Sequence, residues 1–334
     1  MAKAPQTQDI DYFGADRFSA LGDVPVIIQD VPGWEPPGPP IQAVCIGVDR
    51  AGALPAVDPA RFDLLLTIAP RAPAPWVSIA PDRLDEHLRT LEAAVRGWPV
   101  AATALCAVLR ITQAMPFGDA LAVESYAYSA LLGGSEFRRW HSARGALAIP
   151  AAHDELVLIE RDADVVTLTL NDPGSCNAMT AAMRDALHAA LTGILDDPSE
   201  PRLVLRGAGR CFSTGGALGE FGSAGDLAQA HVIRTLRSCA ALLDAIGERA
   251  KVCLHGACVG SGLEIPAAAR HRAATQDAWF QLPELRMGLI PGAGGTASVA
   301  RAIGRHRTAW MVLSGKRLSA TQALAWGLIH EIAP

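Results

Sequence analysis

Apolar residues recur along this chain with different periods, and the changes of period divide it into segments. Three short apolar runs, IQAVCIGV from Ile41, FDLLLTI from Phe62 and WVSI from Trp76, predict two or three buried strands. The preceding 40 residues begin polar and end in VPGWEPPGPP, whose prolines favour an extended arm or linker. Residues 1–80 are therefore predicted to form an N-terminal arm and a small α/β appendage.

A helical period follows in residues 81–147. Apolar positions recur there at steps of three and four residues, at Leu84, Leu88, Leu91 and Val95. Asp82 stands where an N-cap is expected. Two further helices, both rich in apolar residues, are predicted over residues 101–114 and about 118–144. With no sheet of their own, these helices must bury their apolar surface against another part of the molecule or another subunit.

The third segment, residues 148–334, alternates strands and helices. Strands are predicted at 155–160, 164–170, 202–206 and 251–254. Helices are predicted between them at 177–195 and 227–246. Strand, helix and strand in this order predict right-handed βαβ crossovers, so the predicted fold class is α/β.

Composition narrows the class of protein. Half of the 334 residues are hydrophobic and 19% are charged, as in a globular enzyme with a large core. A net charge of −5 argues against nucleic acid or an anionic membrane as the main partner. The seven cysteines form no CxxC pair, which favours reduced thiols. The N-terminus has no signal-like apolar region, and no run reaches the roughly 18 apolar residues of a membrane span, so a cytoplasmic protein is expected.

Candidate chemistry concentrates in residues 255–296, HGACVGSGLEIPAAARHRAATQDAWFQLPELRMGLIPGAGGT. Glu264 follows a glycine-rich turn and is predicted on the first turn of a helix, where the dipole stabilises a carboxylate and free N–H groups can bind an oxyanion. Glu284 follows Pro283 and is predicted on a loop. Two such carboxylates suggest acid/base chemistry at a carbonyl compound. A single glutamate near a glycine turn is more often only a helix-start charge, so the spacing alone leaves the choice open.

Other motifs in this region favour structural roles. PGAGGTA, residues 291–297, matches a bare dinucleotide-binding pattern, but a proline precedes it and no acidic residue follows at the ribose-binding distance. It is interpreted as a helix-start turn packing under Glu284. The histidines show no metal-ligand spacing, and His255 is interpreted as structural. Ser213 and Ser261 lack a nucleophile elbow.

Four motifs in order resemble the enoyl-CoA hydratase/isomerase (crotonase) family. They are NDPGSCNAMT, GAGRCFSTGGAL, HGACVGSGLE and FQLPELRMGLIPGAGGT, and the resemblance covers residues 156–334. It implies a crotonase-like ββα spiral core and an acyl-CoA thioester as substrate. It implies no metal and no cofactor beyond the coenzyme A of the substrate, and an assembly as a trimer or a dimer of trimers.

The resemblance also implies roles for individual residues. Glu264 and Glu284 correspond to the family's catalytic carboxylates, and the backbone N–H groups of Gly216 and Ser261 correspond to its oxyanion hole. Contacts with CoA carry over to Ser175, Cys176, Ala178, Gly216, Leu218 and Gly260. Three positions depart from the common pattern: Ser261 replaces a glycine, Gly174 a basic residue and Ala217 an acid. Arg139 or Arg144 is a candidate for the CoA phosphates in place of the missing basic residue.

The order of the segments is unusual for this family. The helices that normally follow the core are missing after WGLIHEIAP, whereas ALAVESYAYSALLGGSEFRRWHSAR is similar to the family's closing helices. This similarity suggests a circular permutation in which the helical trimerisation segment precedes the core, which is tolerated where termini lie close together. An unrelated helical domain fused in front is the alternative.

Both glutamates together favour an enoyl-CoA hydratase, because relatives that isomerise or hydrolyse often keep only one of them. The expected reaction adds water to a 2-enoyl-CoA through Glu264, Glu284 and the backbone oxyanion hole. A crotonase-family isomerase or acyl-CoA hydrolase is the first alternative. A non-catalytic paralogue that binds acyl-CoA or a partner is the second.

Overall fold

Four parallel strands form the N-terminal sheet of the protein, whose computed structural model describes residues 15–34, 41–150 and 153–333. They are β1 (Val26–Asp30), β2 (Val44–Asp49), β3 (Leu64–Thr67) and β4 (Val77–Ser78), in the order β1-β2-β3-β4. The last three occupy the predicted apolar runs. The prediction of an arm is wrong over β1, which is parallel to β2 throughout. The rest of the predicted arm, residues 1–14 and 35–40, lies outside the described residues.

Four helices follow the sheet: α1 (Leu84–Gly97), α2 (Pro99–Thr112), α3 (Phe117–Leu132) and α4 (Ser135–Arg144). The predicted Asp82 cap is wrong, because a 3-10 turn, Pro81–Arg83, precedes α1 and no side chain caps that helix. The predicted single helix over 118–144 is two helices, since the chain breaks at Gly133 and Gly134, where glycine ends helices readily.

The remaining chain forms an α/β core. Its strands are β5 (Val157–Asp162), β6 (Val165–Leu170), β7 (Arg202–Gly207), β8 (Ala250–Leu254), β9 (Ala257–Val259), β10 (His271–Thr275), β11 (Trp279–Gln281), β12 (Leu318–Ser319) and β13 (Glu331–Ala333). Its helices are α5 (Ala181–Leu195), α6 (Leu227–Leu236), α7 (Cys239–Ile246), α8 (Ser261–Glu264), α9 (Gly295–Ile303), α10 (Arg305–Ser314) and α11 (Ala320–Trp326). The predicted helix over 227–246 is two helices, because Ser238 caps a new start by accepting from Ala241 N.

Short 3-10 turns join many of these elements. They are Ala15–Phe18, Pro59–Arg61, Pro173–Ser175, Leu218–Glu220, Gly247–Arg249, Pro266–Ala268 and Glu284–Met287. Prolines begin three of them, where the missing N–H costs nothing because the first helical N–H groups have no intrahelical acceptor.

Two sheets organise the core. The larger has the order β13-β10-β8-β7-β6-β5, and only the β5–β6 pair is antiparallel. The smaller has the order β12-β11-β9, with β9 and β11 parallel. Two isolated parallel bridges lie next to β9 of this smaller sheet. They join Ser213 to Cys258 and Met179 to Gly216. The segments around residues 178, 215 and 259 therefore run side by side.

Helix α10 joins the N-terminal sheet to the core. It is buried along its whole length, including its cationic residues. Arg305 donates to the Phe62 and Pro59 carbonyl oxygens at 2.7 and 2.6 Å, and Arg307 donates to the Ala72 carbonyl at 3.0 Å. Backbone carbonyl groups of the first sheet thus satisfy buried guanidinium groups of the core, as buried polar groups require.

No single helix in the described ranges is long and apolar enough to cross a membrane. One pair, Pro81–Gly97 with Pro99–Thr112, reaches the required length and apolar character only in combination, and a bend of 103° separates its two members.

Candidate functional site

Two parallel strands bring the predicted carboxylates to one edge of the smaller sheet. Strands β9 and β11 run in the same direction, with Val259 beside Gln281, so the residues that follow them emerge together. Glu264 follows β9 and Glu284 follows β11. Both side chains are buried, with relative exposures of 2% and 6%. Ionisable groups are almost never this buried unless they are paired or functional.

Gly260 lies between the two carboxylates. A β-carbon on this residue would lie 2.9 Å from Glu284 Oε1 and 3.9 Å from Glu264 Oε1, so both oxygens border the same small space. The backbone φ of Gly260 is +51°, a conformation that glycine adopts without strain. The sequence predicted both acids beside glycine turns, and the fold brings them together around this one.

The local structure around Glu264 differs from the prediction. Glu264 lies on the first turn of a helix, as predicted, but this helix, α8, has only four residues and ends at Glu264, because Pro266 begins a separate 3-10 turn two residues later. The helix N-terminus that binds its carboxylate belongs to α9. Glu264 Oε2 accepts from Ala293 N at 2.7 Å and from Gly295 N at 3.0 Å.

Glu284 has a less polar environment. It begins the 3-10 turn Glu284–Met287, and its Oε2 is buried with no hydrogen-bond partner among the described residues. The hydroxyl oxygen of Ser261, the residue after Gly260, is also buried with no hydrogen-bond partner among the described residues. Buried polar atoms without a partner are rare and often mark the place where a ligand or substrate binds.

A third buried acid, Glu124 on α3, was not identified from the sequence. Its Oε1 accepts from Gly294 N at 2.7 Å, and its Oε2 accepts from Thr296 N at 2.7 Å and from the Thr296 hydroxyl at 2.6 Å. The backbone N–H groups of Ala293 and Gly295 therefore bind Glu264, whereas those of Gly294 and Thr296 bind Glu124. The GAGG turn starts helix α9, as predicted, and its N–H groups bind Glu264 and Glu124. A glutamate in the apolar run ALAVESYAYSALL was the available signal.

The predicted oxyanion residues lie on two adjacent turns. A β-carbon on Gly215 would lie 2.5 Å from the Val259 carbonyl oxygen, so the two backbones are in contact. In the bridge between Gly216 and Met179, Met179 N donates to Gly215 O and Ala217 N donates to Met179 O. The N–H of Gly216 therefore points away from Met179. Within the described chain, neither Gly216 N nor Ser261 N donates a hydrogen bond. Two free backbone donors thus lie beside the two carboxylates.

The predicted CoA-contacting turn runs along the same edge. Thr214 N donates to the Cys176 carbonyl at 3.1 Å, and Ala178 N donates to Ser175 Oγ at 3.1 Å. Leu218, further along the neighbouring turn, is 41% exposed. The Arg210 guanidinium donates to Cys176 Sγ, which places a cation at this turn although Gly174 provides none.

The arginines proposed for the CoA phosphates differ in position. Arg139 donates to the Gly97 carbonyl and lies over the Trp98 ring, so its guanidinium is engaged with α1 and the start of α2. Arg144 donates to the Phe221 carbonyl at 3.0 Å. Phe221 in turn borders Gly216, because a β-carbon there would lie 2.7 Å from the ring. Arg144 is therefore the one closer to the candidate oxyanion turn.

Burial raises the pKa of all three acids. The pKa of Glu264 rises to about 7 because of burial, and the N–H groups of Ala293 and Gly295 limit the rise. The pKa of Glu124 rises to about 8 because of burial and the charge of Glu264. For Glu284, burial and then the charge of Glu264 raise the pKa well above its ordinary value. The pKa of Glu264 is lower than that of Glu124, although Glu124 accepts more hydrogen bonds, because the charge of Glu264 adds to the effect of burial on Glu124. For Glu284, whose Oε2 has no donor among the described residues, burial favours the neutral form.

Comparisons with known proteins identify the family of the core. The family model described as enoyl-CoA hydratase/isomerase matches residues 160–334. A 2,3-dehydroadipyl-CoA hydratase of Escherichia coli (strain K12) is 33% identical over 178 residues, 53% of this chain and 69% of the relative.

Two solved structures share the α/β fold of the core. The enoyl-CoA hydratase of Thermoplasma volcanium GSS1 superimposes with a TM-score of 0.50 and 30% identity, over 54% of this chain and 72% of its own. The enoyl-CoA hydratase of Bacillus halodurans gives a TM-score of 0.50 with 26% identity, over 54% and 73%. The matched family model covers just over half of the chain and includes both buried glutamates that follow β9 and β11. The protein therefore belongs to the enoyl-CoA hydratase/isomerase family.

Proposed function

We propose that this protein is an enoyl-CoA hydratase, which adds water across the 2,3 double bond of an acyl-CoA thioester. The observation that carries the proposal is the meeting of Glu264 Oε1 and Glu284 Oε1 around Gly260, beside two unengaged backbone donors. Relatives named as hydratases support the same reaction class.

The two backbone donors would bind the thioester oxygen. Attack of water at C3 turns the conjugated thioester into an enolate, so negative charge develops on that oxygen. The N–H groups of Gly216 and Ser261 are fixed by their turns and need no reorganisation to receive it. Donors of this kind are each worth roughly 3–4 kcal/mol of barrier. Because both are main-chain groups, the replacement of glycine by Ser261 keeps the donor.

The two carboxyl groups would divide the proton transfers. Glu264, ionised with the help of the α9 N–H groups, accepts a proton from the water whose oxygen bonds to C3. Glu284, kept protonated by burial, delivers its proton to C2 of the enolate. The overall change is addition of H and OH. The turnover leaves Glu264 protonated and Glu284 ionised, and one proton transfer between them restores the starting state.

Binding of the CoA part is assigned to the exposed side of the same edge. Ser175, Cys176, Ala178, Leu218 and Gly260 are proposed to contact it, with the cations Arg210 and Arg144 nearby. No metal or further cofactor is required by this chemistry, since the protons and the water account for every bond made and broken.

The reaction itself is tested with 2-butenoyl-CoA in ¹⁸O-labelled water. Hydration places the label on C3 of the product, and the conjugated absorbance disappears. An isomerase leaves C3 unlabelled, and a thioester hydrolase puts the label in the carboxylate of the released acid. Either of these results, or no turnover with a panel of enoyl-CoA chain lengths, would contradict the proposal.

The pH dependence follows from the two roles. Glu264 must be ionised, and its pKa is raised to about 7, so kcat/KM is expected to fall tenfold per pH unit on the acid side of pH 7. Glu284 must be protonated, and its pKa is raised well above its ordinary value, so kcat/KM is expected to fall again at alkaline pH as Glu284 loses its proton. The measurement is kcat/KM for 2-butenoyl-CoA between pH 5 and pH 10. A profile that stays flat down to pH 5 would contradict the role of Glu264.

The circular permutation and the trimer remain proposals. The permutation is supported by the packing of the N-terminal helices on the core: Glu124 of α3 binds the GAGG turn, and Gly288, which follows the Glu284–Met287 turn, lies against Glu136 of α4. Superposition of α1–α4 on the closing helices of an enoyl-CoA hydratase would test it, and a different arrangement of axes would refute it. Light scattering of the purified protein would test the expected trimer or hexamer.

A further inference from the structure

A narrow cavity opens beside the GAGG turn, on the side of Glu264. Its volume is about 80 Å³, and its walls include Met179, Ile265, Gly292 and Ala293. Met179 forms the bridge to Gly216, and Ala293 donates to Glu264, so the cavity adjoins both the candidate oxyanion turn and the candidate base. A thioester bound at Gly216 and Ser261 would direct its acyl chain towards this space. The small volume suits a short chain.

Three arginines line this cavity together with apolar residues and the acid Glu124: Arg184, Arg234 and Arg237. Arg234 is half-buried and donates only to neutral acceptors, the Ser125 hydroxyl and carbonyl at 3.0 and 3.3 Å and the Ser129 hydroxyl. Arg184 has one ion pair, with the adjacent Asp185 at 2.8 Å. Within the described chain, neither Arg234 nor Arg237 forms an ion pair. Of the three, Arg234 is the cation that is half-buried and lacks an ion pair, and Arg237 is exposed. A cavity for a plain alkyl chain does not need the charge of Arg234, since burying a cation without a counter-ion is costly.

The acid that lines the same cavity does not neutralise them. Glu124 directs its carboxylate oxygens to Gly294 and Thr296 and forms no ion pair with Arg234. Burial lowers the pKa of the Arg234 guanidinium, so an anionic group brought close to it would be favoured. The guanidinium also lies over the Tyr128 ring at 4.9 Å, which fixes its orientation.

We propose that the preferred substrate is a short 2-enoyl-CoA whose acyl chain ends in a carboxylate, bound by Arg234 with Arg184 and Arg237 at the cavity wall. This proposal rests on the proposed hydratase function for the placement of the thioester. Arginine suits the task because Nη1 of Arg234 donates to no acceptor in the described part of the chain and keeps two N–H groups for a charge-assisted hydrogen bond to a carboxylate. The apolar wall would hold the methylene groups between the double bond and the terminal carboxylate.

The test compares two ligands of equal length and shape, one ending in a carboxylate and one in a carboxamide. Dissociation constants are measured by calorimetry for the saturated acyl-CoA thioesters, and kcat/KM is measured for the 2-enoyl forms. The wild type is expected to favour the carboxylate by about 10- to 100-fold, the value of a charge-assisted hydrogen bond in a sheltered site. An equal or weaker affinity for the carboxylate would overturn the proposal.

Variants locate the effect. Arg234→Gln is expected to remove most of the preference, and Arg234→Lys to retain part of it, because the charge remains but the planar guanidinium is lost. Arg270→Gln is the matched control, since Arg270 pairs with Asp244 outside this cavity. A preference that survives in Arg234→Gln would contradict the assignment. If Arg234→Gln does not fold, the wild-type comparison of the two ligands decides alone.

The two proposals fail separately. Because the calorimetric comparison needs no turnover, a preference for the carboxylate with no hydration of either ligand would refute the hydratase function and leave the charged cavity standing. Hydration of both ligands with no preference for the carboxylate would support the hydratase function and refute the proposed carboxylate site.

Discussion

Replacing Glu264 or Glu284 by glutamine is expected to lower kcat/KM for 2-butenoyl-CoA by about 10²–10⁴-fold, the usual contribution of one general acid or base. Glutamine preserves the shape of each side chain but can neither accept the proton of water nor deliver one to C2. The combined variant is expected to lose little more than the worse single variant, because the two carboxyl groups act as a unit. The measurement is the loss of enoyl absorbance at fixed pH.

Folding and chemistry can be separated for these variants. Burial raises the pKa of Glu284 above its ordinary 4.5 in the folded state. Its contribution to stability is therefore complete below pH 4.5 and is lost as the pH rises through the folded value. The Glu284→Gln protein, which has no charge to bury, should be at least as stable as the wild type at pH 8.

The matched control is Glu160→Gln, which changes an exposed acid paired with Arg206 and should leave kcat/KM unaltered. Full activity of both site variants would instead favour a protein that binds acyl-CoA without turnover. An inactive variant that is also unfolded at pH 8 would contradict the expected stability of Glu284→Gln.

Replacing Glu124 by alanine is expected to destabilise the protein by about 3–5 kcal/mol, the cost of leaving several buried hydrogen-bond donors without an acceptor. The change leaves Gly294 N, Thr296 N and the Thr296 hydroxyl without their acceptor. Activity should fall as well, because Gly294 lies between the two residues that donate to Glu264. Urea unfolding followed by circular dichroism measures the first effect, and kcat/KM measures the second.

Glutamine at position 124 should have an intermediate effect. Its amide keeps one accepting oxygen but turns an NH₂ group towards a donor N–H, so part of the network is lost. Glu92→Ala on the outer face of α1 is the control, with an expected change within about 0.5 kcal/mol because Glu92 is paired only with Arg96 near the surface. A Glu124→Ala protein as stable as this control would show that the network contributes little.

Much of the fold could be predicted from the sequence, because the segments with the clearest hydrophobic pattern are also the segments that are buried in the structure. The segments 164–170 and 202–206, DVVTLTL and RLVLR, are rich in Val and Leu, and both form interior strands of the larger sheet. The breaks inside 118–144 and 227–246 were harder to predict. Gly133 and Ser238 end one helix or begin another without interrupting the apolar pattern on either side.

The candidate site was only partly predictable for a related reason. Glu264 and Glu284 stand beside glycine turns, which are local signals. The contribution of Glu124 depends on a hydrogen bond across 172 positions of sequence, which no local pattern reports. The assignment of Glu264 to a helix start overlooked the consequence of Pro266, which ends the short helix α8. The dipole that stabilises this carboxylate then comes from a different helix, α9.

The docking of α10 against the N-terminal sheet bears on where this chain can be cut. Arg305, His306 and Arg307 lie inside the molecule, and all three bond to carbonyl oxygens supplied by residues 59–76. A version trimmed at residue 80 would remove the carbonyl acceptors of these three side chains and expose the apolar surface packed around them to water. The N-terminal sheet, which looks like a dispensable extension, therefore covers a helix of the part of the chain that the family model matches.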